Sequence, residues 1–324
     1  MGAYDSTPKE RSLPSVLIVG YKRTENIRRI IDLCKSFGVQ RIFLQLDGIK
    51  SDDIQAAESR QGLLEFLEKV RTPELSVEVK TNVTNQGCAV TVLAGVDWAL
   101  QSSNSIVVLE DDCIPTQSFF VFCLDFEESL NQSENIWLIC GTQFAPRELT
   151  LGHTLRSHYA LTWGWFTTKD KWMQIQKSIH RNRRFVLRDA LVSLDPESCF
   201  WSAGARRAYL GFTDVWDTIL IYCMKKESRL ALLPGTSYVE NLGDDEFAVH
   251  TSKDSRWTRQ QTHKYSFEET HVYNDLANKW IKEHFYRIRP RHLLTTKLNF
   301  LADCFRTKKF SQELLERLPD SWGV

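Results

Sequence analysis

The sequence contains no run of about eighteen uncharged apolar residues, so it predicts no membrane-spanning helix. It has no excess of either charge, because 41 Lys and Arg residues balance 41 Asp and Glu residues, which argues against a nucleic-acid partner. Eight cysteines are present, but no pair has the spacing of a zinc site or a redox motif. The cysteines are therefore expected to be small buried side chains in a reducing cytosol.

Two kinds of phosphate-binding loop are also missing. No Gly-x-Gly-x-x-Gly follows the first apolar run, which argues against a dinucleotide-binding fold, and there is no Walker lysine loop. The 324 residues are 42% hydrophobic and 25% charged, as in an ordinary globular protein. Residues 1–14 are polar and lack the apolar core of a signal peptide, so they are predicted to be a flexible tail of a cytoplasmic protein.

Apolar runs of strand length alternate with helical periodicities in the first part of the chain. Candidate strands cover residues 16–20, 41–46, 75–80 and 105–110, with candidate helices between them. This alternation predicts an α/β fold with a mostly parallel sheet flanked by helices. Such sheets bind ligands at the carboxyl ends of their strands, where Arg23, Asp47 and the acidic run at 110–112 are expected to meet.

The acidic run Glu110-Asp111-Asp112 directly follows the most apolar of these strands. Three adjacent carboxylates repel one another, and their burial without a partner would be costly. A divalent cation with oxygen ligands, Mn²⁺ or Mg²⁺, is the simplest remedy. The alternative is an ordinary solvated acidic loop, which the position at the end of a buried strand disfavours.

The second part of the chain adds aromatic and acidic candidates. Trp163-Gly164-Trp165 either packs in the core or forms a platform for a sugar ring, because aromatic faces pack well on carbohydrate. Asp214 and Asp217 lie where an amphipathic helix starts, so each is either a helix-capping carboxylate or a catalytic group. Helical spacing from Ser266 onward predicts a helical C-terminal appendage.

The ordered set of these motifs resembles the GT-A-fold glycosyltransferases, over about residues 15 to 251. The resemblance rests on Arg23, Asp47, Glu110-Asp111-Asp112, the Trp-Gly-Trp cluster, Pro234, Asn241-Leu242-Gly243 and His250-Thr251. The pattern is most similar to bacterial transferases loosely labelled hemolytic-protein-like. It is more distantly similar to inverting N-acetylglucosaminyltransferases, which also carry a Glu-Asp-Asp run and a Trp-Asp helix start.

The resemblance implies a role for each site residue. Asp47 would accept a hydrogen bond from the uracil imide, and Arg23, Asn85 and Gly87 would lie near the nucleotide. Asp111 would face the ribose, Glu110 the donor sugar, and Trp163 and Trp165 would complete the nucleotide-sugar site. Asp112 would bind manganese or magnesium at the diphosphate, with His250 either a second metal ligand or a structural histidine.

Inverting transfer also needs a base that deprotonates the acceptor hydroxyl. The resemblance favours Asp217, with Asp214 as the other candidate. The distant relatives have two adjacent aspartates at this point, whereas this chain has Asp217-Thr218. A helix-capping role would involve no chemistry and would contribute about 1 kcal/mol of stability.

The resemblance therefore implies a metal-dependent glycosyltransferase of polysaccharide biosynthesis. It would move a sugar from a nucleotide-diphosphate donor, with a UDP-sugar favoured, to a hydroxyl of a glycan or lipid-linked saccharide acceptor. A catalytically silent nucleotide-sugar-binding or scaffold protein is the first alternative. A sugar nucleotidyltransferase is the second, although the glycine-rich entry loop of that class is missing.

The predicted domain organisation is a GT-A-like domain at 15–255 and the helical appendage at 256–324. A basic group at Arg287, Arg289, Arg291 and His292 lies in the appendage. It is either a solvated connection or a contact with an anionic membrane surface near a lipid-linked acceptor. Peripheral association with the inner face of the membrane is thus one expectation from the sequence.

Overall fold

The computed structural model of the chain describes residues 12–50, 53–245, 257, 262–265 and 271–305. The strands are β1 Ser15–Gly20, β2 Arg41–Leu46, β3 Ser76–Thr81, β4 Ser105–Glu110, β5 Cys113–Pro115, β6 Ile136–Cys140, β7 Thr154–Ser157, β8 Trp165–Thr168, β9 Leu230–Leu233, β10 Val239–Asn241 and β11 His271–Tyr273. The helices are α1 Thr24–Phe37, α2 Ile54–Val70, α3 Cys88–Leu100, α4 Gln117–Gln132, α5 Arg147–Thr150, α6 Lys169–Asn182, α7 Val186–Val192, α8 Pro196–Tyr209, α9 Asp217–Lys226, α10 Asp275–Trp280 and α11 Leu293–Phe305.

Nine of these strands form one large sheet in the order β11-β7-β9-β6-β8-β4-β1-β2-β3. The pairs β3–β2, β2–β1, β1–β4, β6–β9 and β11–β7 are parallel. The strand β8 runs antiparallel to both β4 and β6, and β7 runs antiparallel to β9. The predicted α/β fold with a mostly parallel sheet is confirmed.

Helices cover both faces of the sheet, which explains why its strands are apolar throughout. In β1, Val16 and Ile18 pack with α1, α2 and α4, whereas Leu17 and Val19 pack with α3, α6 and α9. Alternate residues of a strand point to opposite faces, so each face receives its own core.

A second, two-stranded sheet pairs β5 antiparallel with β10. It follows the acidic run directly, because β4 ends at Glu110 and β5 begins at Cys113. Asn241 is paired with Cys113 in this small sheet. The pairing brings the segment at 241–245 against the acidic run, although the two are far apart in the sequence.

The C-terminal part is mainly helical, as predicted, but the described part of it is not a separate unit. The strand β11 adds to the edge of the large sheet beside β7. Ala277, Ile281 and Ile288 are buried in the same core as β1 and α3. The boundary at 255 stays a prediction, but described residues on both sides of it share one sheet and one core.

Three further predictions concern the N-terminus, the cysteines and a membrane-spanning helix. Residues 1–11 of the predicted tail lie outside the described residues, and Pro14 is already buried. The seven cysteines with described side chains form no disulfide, and all but Cys88 are buried. Among the described helices, none combines the length and the apolar character needed to cross a bilayer.

Candidate active site

A cleft of about 620 Å³ opens at the carboxyl ends of β1, β2 and β4. This position is the one that a parallel α/β sheet offers to ligands. The predicted site residues that line it are Arg23, Asp47, Asn85, Gly87, Glu110, Asp111, Asp112, Trp163, Asp214 and Asp217. His250 lies outside the described residues, and Trp165 is not at the cleft surface.

Arg23 lies in the turn between β1 and α1 and bridges three carboxylates. Its Nη1 donates to Asp111 Oδ1 at 2.9 Å, and its Nε and Nη2 form a two-point pair with Asp245 at 2.8 and 2.9 Å. Asp112 Oδ2 is 3.5 Å from the same Nη1. Burial alone would lower the pKa of Arg23, but the pairs with Asp245 and Asp111 outweigh it and raise that pKa.

Asp111 is buried and holds the loop that follows β1. Its Oδ2 accepts a hydrogen bond from the backbone N–H of Tyr21 at 2.8 Å, while Oδ1 accepts from Arg23. Both oxygens of this middle carboxylate of the acidic run thus accept hydrogen bonds from the loop that follows β1. Its predicted contact with ribose stays a prediction.

Asp47 has a different role from the one predicted for it. Its Oδ1 accepts hydrogen bonds from Gly48 N, Asn82 Nδ2 and Gln86 N, at 2.8, 3.1 and 2.8 Å. Its Oδ2 accepts from Asn85 Nδ2 and Gly87 N, both at 2.9 Å. A carboxylate has about four lone-pair positions. No position is left for a uracil imide, so Asp47 organises the loop at 82–87 instead.

Asn85 and Gly87 are part of the loop that Asp47 holds. Asn85 Nδ2 also donates to Gly48 O at 3.1 Å, which ties this loop to the end of β2. Gly87 has φ +86°, and a Cβ there would lie 2.6 Å from Asp214 Oδ2. Only glycine fits this conformation and this close approach. Both residues therefore shape the wall of the cleft at the start of α3.

Asp214 caps helix α3 from a distant part of the chain. Its Oδ1 accepts from the backbone N–H of Ala89 at 2.7 Å, and its Oδ2 accepts from that of Cys88. A carboxylate at a helix N-terminus satisfies unpaired N–H groups and interacts favourably with the helix dipole. These bonds assign Asp214 a structural role, which corrects its place among the candidate bases.

Asp217 lies in the first turn of α9 and is not engaged in this way. Its Oδ1 is buried and has no hydrogen-bond partner among the described residues. Burial raises the pKa of Asp217 to about 6, an effect only partly offset by the backbone N–H groups of Thr218 and of Asp217 itself. Its charge also contributes to raising the pKa of Glu110 across the cleft. Asp217 is thus an available carboxylate facing the acidic run.

Glu110 and Asp112 are half-buried carboxylates that repel each other. Burial, followed by the charges of Asp112 and Asp111, raises the pKa of Glu110 to about 8. Burial and the charge of Asp111 raise the pKa of Asp112 to about 6. Asp112 Oδ1 accepts from Asn241 Nδ2 at 3.1 Å, and a Cβ on Gly243 would lie 2.5 Å from its Oδ2. Because Gly243 has no side chain, space remains open beside the carboxylate of Asp112.

This donor set fits a hard divalent cation only in part. Carboxylate oxygens are the ligands that Mg²⁺ and Mn²⁺ prefer, and a cation would relieve the repulsion at Glu110 and Asp112. Among the described residues, however, no group of three or more His, Cys, Asp or Glu side chains is arranged to hold a metal ion. Mg²⁺ typically takes one or two carboxylates and completes its coordination with substrate phosphates and water.

The two tryptophans predicted to bind sugar differ in their surroundings. Trp165 is only 1% exposed, and its ring packs against Trp172 and Trp216 at centroid distances of 6.0 and 5.3 Å. It is a core residue, which corrects its predicted role. Trp163 is partly buried and lines the cleft, supported edge-on by Phe144 at 5.1 Å. Of the two, only Trp163 can offer a surface to a sugar ring.

Sequence reasoning missed two residues that build the site, Asp245 and Arg60. Arg60 Nη1 donates to Asp47 O at 2.6 Å and Nη2 to Tyr21 O at 2.8 Å, so it joins the loops after β1 and β2. A signal for Arg60 exists, because it falls at helical spacing on the buried stripe of α2 among apolar residues. For Asp245 the only signal is its position just after Asn241-Leu242-Gly243.

Comparison with known proteins gives likenesses of fold alone. No protein-family model matches the sequence, and no curated protein matches it significantly. HddC from Yersinia pseudotuberculosis is 15% identical with a TM-score of 0.29, over 49% of this chain and 78% of that one. The structure of HddC complexed with GMP-PN is 14% identical with a TM-score of 0.32, over 49% of this chain and 78% of that one. The structure of UDP-glucose pyrophosphorylase complexed with UDP-glucose is 8% identical with a TM-score of 0.35, over 68% of this chain and 90% of that one. At these TM-scores the likenesses support no assignment of activity.

Proposed function

We propose that the chain is a metal-dependent glycosyltransferase with an inverting mechanism. It would transfer a sugar from a nucleotide-diphosphate donor, with a UDP-sugar favoured, to a hydroxyl of a glycan or lipid-linked saccharide. The observation that supports this most is Asp217, which lines the same cleft as the strand-end carboxylates and whose Oδ1 accepts no hydrogen bond from the described residues. The resemblance in the sequence motifs points to the same reaction.

Asp217 has the properties that a general base requires. Its pKa of about 6 keeps it ionised at neutral pH while leaving it more basic than an exposed aspartate. Asp217 lines the cleft, so an acceptor hydroxyl bound there would donate to its carboxylate. As the acceptor oxygen attacks the anomeric carbon, the Asp217 carboxylate takes its proton, and the bond to the diphosphate breaks on the opposite side.

Asp112 and Glu110 belong to the donor side of this reaction. Asp112 would hold Mn²⁺ or Mg²⁺, and His250, outside the described residues, would be a second ligand. The metal, when bound, neutralises charge that grows on the leaving diphosphate. Glu110 would face the donor sugar, and Trp163 would pack against a sugar ring from the adjoining wall.

A donor assay separates this function from the two alternatives. The full-length protein is incubated with UDP-, GDP- and dTDP-sugars and Mn²⁺, and released nucleoside diphosphate is measured with and without candidate saccharide acceptors. Acceptor-stimulated release of UDP supports a glycosyltransferase. A parallel incubation of the protein with UDP-sugar and added pyrophosphate is run as well. Formation of UTP in that incubation would identify a nucleotidyltransferase instead. Binding of a UDP-sugar, seen by saturation-transfer NMR, with no turnover of either kind would identify a nucleotide-sugar-binding protein.

A further inference from the structure

Helix α11 carries a row of exposed leucines on its outer face. Leu294, Leu298 and Leu301 are 68%, 57% and 40% exposed. Their spacing of four and three residues places them on one face of the helix. Single exposed leucines are common on protein surfaces, but a continuous apolar row indicates an interaction surface.

The opposite face of α11 attaches the helix to the body of the protein. Phe300 is buried in a small cluster with Ala190 and Ala203. Asp303 accepts a hydrogen bond from Arg207 Nη1 at 2.7 Å, which joins α11 to α8. Because these contacts fix the rotation of the helix, the leucine row is held on the outside.

The apolar surface continues from α11 onto the end of α7. Lys297 Nζ donates to Leu191 O at 3.1 Å, so the two helices are neighbours at this point. Leu191 is 45% exposed, and Leu194, just beyond α7, is 81% exposed. We call the set Leu191, Leu194, Leu294, Leu298 and Leu301 the leucine surface.

The residues that precede and enter α11 carry only positive charge. From His284 to Ala302 the sequence has no Asp or Glu, but it contains Arg287, Arg289, Arg291 and Lys297. The three arginines are exposed, and none forms an ion pair with a described residue. Since the whole chain has no net charge, this is a local concentration of positive charge beside the leucine surface.

We infer that the leucine surface and the three arginines dock the protein on the surface of an anionic lipid bilayer. Leucines on one helix face enter the boundary between headgroups and acyl chains, while neighbouring arginines contact lipid phosphates. A second copy of the chain is a poorer occupant, because a two-fold interface would bring the same arginines toward each other. The docking is peripheral, and it does not depend on the proposed transfer reaction.

Vesicle co-sedimentation of the full-length protein tests this docking. The vesicles are phosphatidylcholine alone or phosphatidylcholine with phosphatidylglycerol. Wild-type protein is expected to sediment with the anionic vesicles and to remain in solution with the neutral ones. The variant Leu294→Ser/Leu298→Ser should lose at least about tenfold in vesicle affinity, because less apolar surface is inserted. The matched control is Leu276→Ser, which replaces a leucine of α10 that is 65% exposed outside the leucine surface.

A second variant, Arg289→Gln/Arg291→Gln, tests the charge without altering any apolar contact. It should bind anionic vesicles more weakly at low salt, and the difference from wild type should shrink as salt is added. Equal binding of wild type to both vesicle types would overturn the inference, as would serine variants that bind like wild type. Wild-type dimers that the serine variant converts to monomers, with no vesicle binding, would overturn it in favour of contact between copies.

Discussion

The carboxylates of Asp214 and Asp217 have opposite surroundings although only two residues separate them. Both oxygens of Asp214 accept hydrogen bonds from the start of α3, at Cys88 and Ala89. The Oδ1 of Asp217 is buried with no hydrogen-bond partner in the described part of the chain. One carboxylate thus stabilises the fold, and the other is held at a cost to stability, as is common for catalytic groups.

Asp217→Asn should remove activity while preserving the shape of the site. Asparagine has nearly the same size but cannot take a proton from the acceptor. We expect turnover to fall by about 10²–10⁴, with donor affinity unchanged. Wild-type turnover should fall as the pH is lowered through about 6, the pKa of Asp217, because the base becomes protonated. Steady-state kinetics and calorimetry measure the two effects, and near-normal turnover in the variant would move the role to another group.

The same variant should be more stable than wild type at neutral pH. The pKa of Asp217 is about 6 in the folded protein, above the ordinary value of 3.8, so the folded state binds more protons between these pH values. Wild-type stability therefore falls as pH rises through this window. Removing the charge should raise the free energy of unfolding by on the order of 2 kcal/mol above pH 6, and by little near pH 4. Thermal melts at both pH values check this, and a variant less stable at pH 7 would contradict it.

Asp214→Asn provides the matched control for both experiments. Its amide would place an N–H group against the N–H groups of Cys88 and Ala89, which lose one acceptor. We expect a loss of stability of about 1–3 kcal/mol from the unsatisfied donors and the lost cap. Turnover below the melting temperature should change far less than in Asp217→Asn. A hundredfold loss of turnover with unchanged melting would return Asp214 to the candidate bases.

Asp47→Ala should destabilise the protein, which differs from the expectation for a group that only contacts a base. Five donors bond to this carboxylate, among them the backbone N–H groups of Gln86 and Gly87. Leaving them unpaired should cost at least about 2 kcal/mol, measured by denaturant unfolding. Affinity for UDP, GDP and dTDP should fall by similar factors, because the whole loop loosens. A loss confined to UDP, with normal stability, would restore the direct uracil contact.

Metal removal tests the role of Asp112. Chelator-treated protein should lose turnover and recover it on addition of Mn²⁺ or Mg²⁺, and Asp112→Asn should not be rescued in this way. Isothermal titration with Mn²⁺ and UDP together should show metal binding that requires the nucleotide, since the described residues provide no group of three ligands around Asp112. Unchanged turnover after chelation would refute the metal dependence.

Local sequence patterns were sufficient to predict the layers of the fold and the edge where the site lies. Strands such as Ser105–Glu110 are short apolar runs buried on both faces, and their periodicity depends only on neighbouring residues. The antiparallel strands Thr154–Ser157 and Trp165–Thr168 were missed, because four residues carry too little pattern. The same limit hid β11, which joins the C-terminal part to the sheet.

The amino-acid sequence by itself determined that Asp47 and the acidic run at 110–112 reach the cleft, since each follows a strand and parallel strands end at one edge. The tertiary structure alone decided what each carboxylate does there. The partner of Asp214 is 126 residues away at Cys88, and that of Arg23 is 222 residues away at Asp245. The spacing of apolar residues along the chain predicts which residues are buried. Hydrogen bonds between residues so far apart in the sequence form only when the loops pack together, so local patterns do not predict them. For that reason Asp47 accepts five hydrogen bonds, whereas no described residue donates one to the Oδ1 of Asp217.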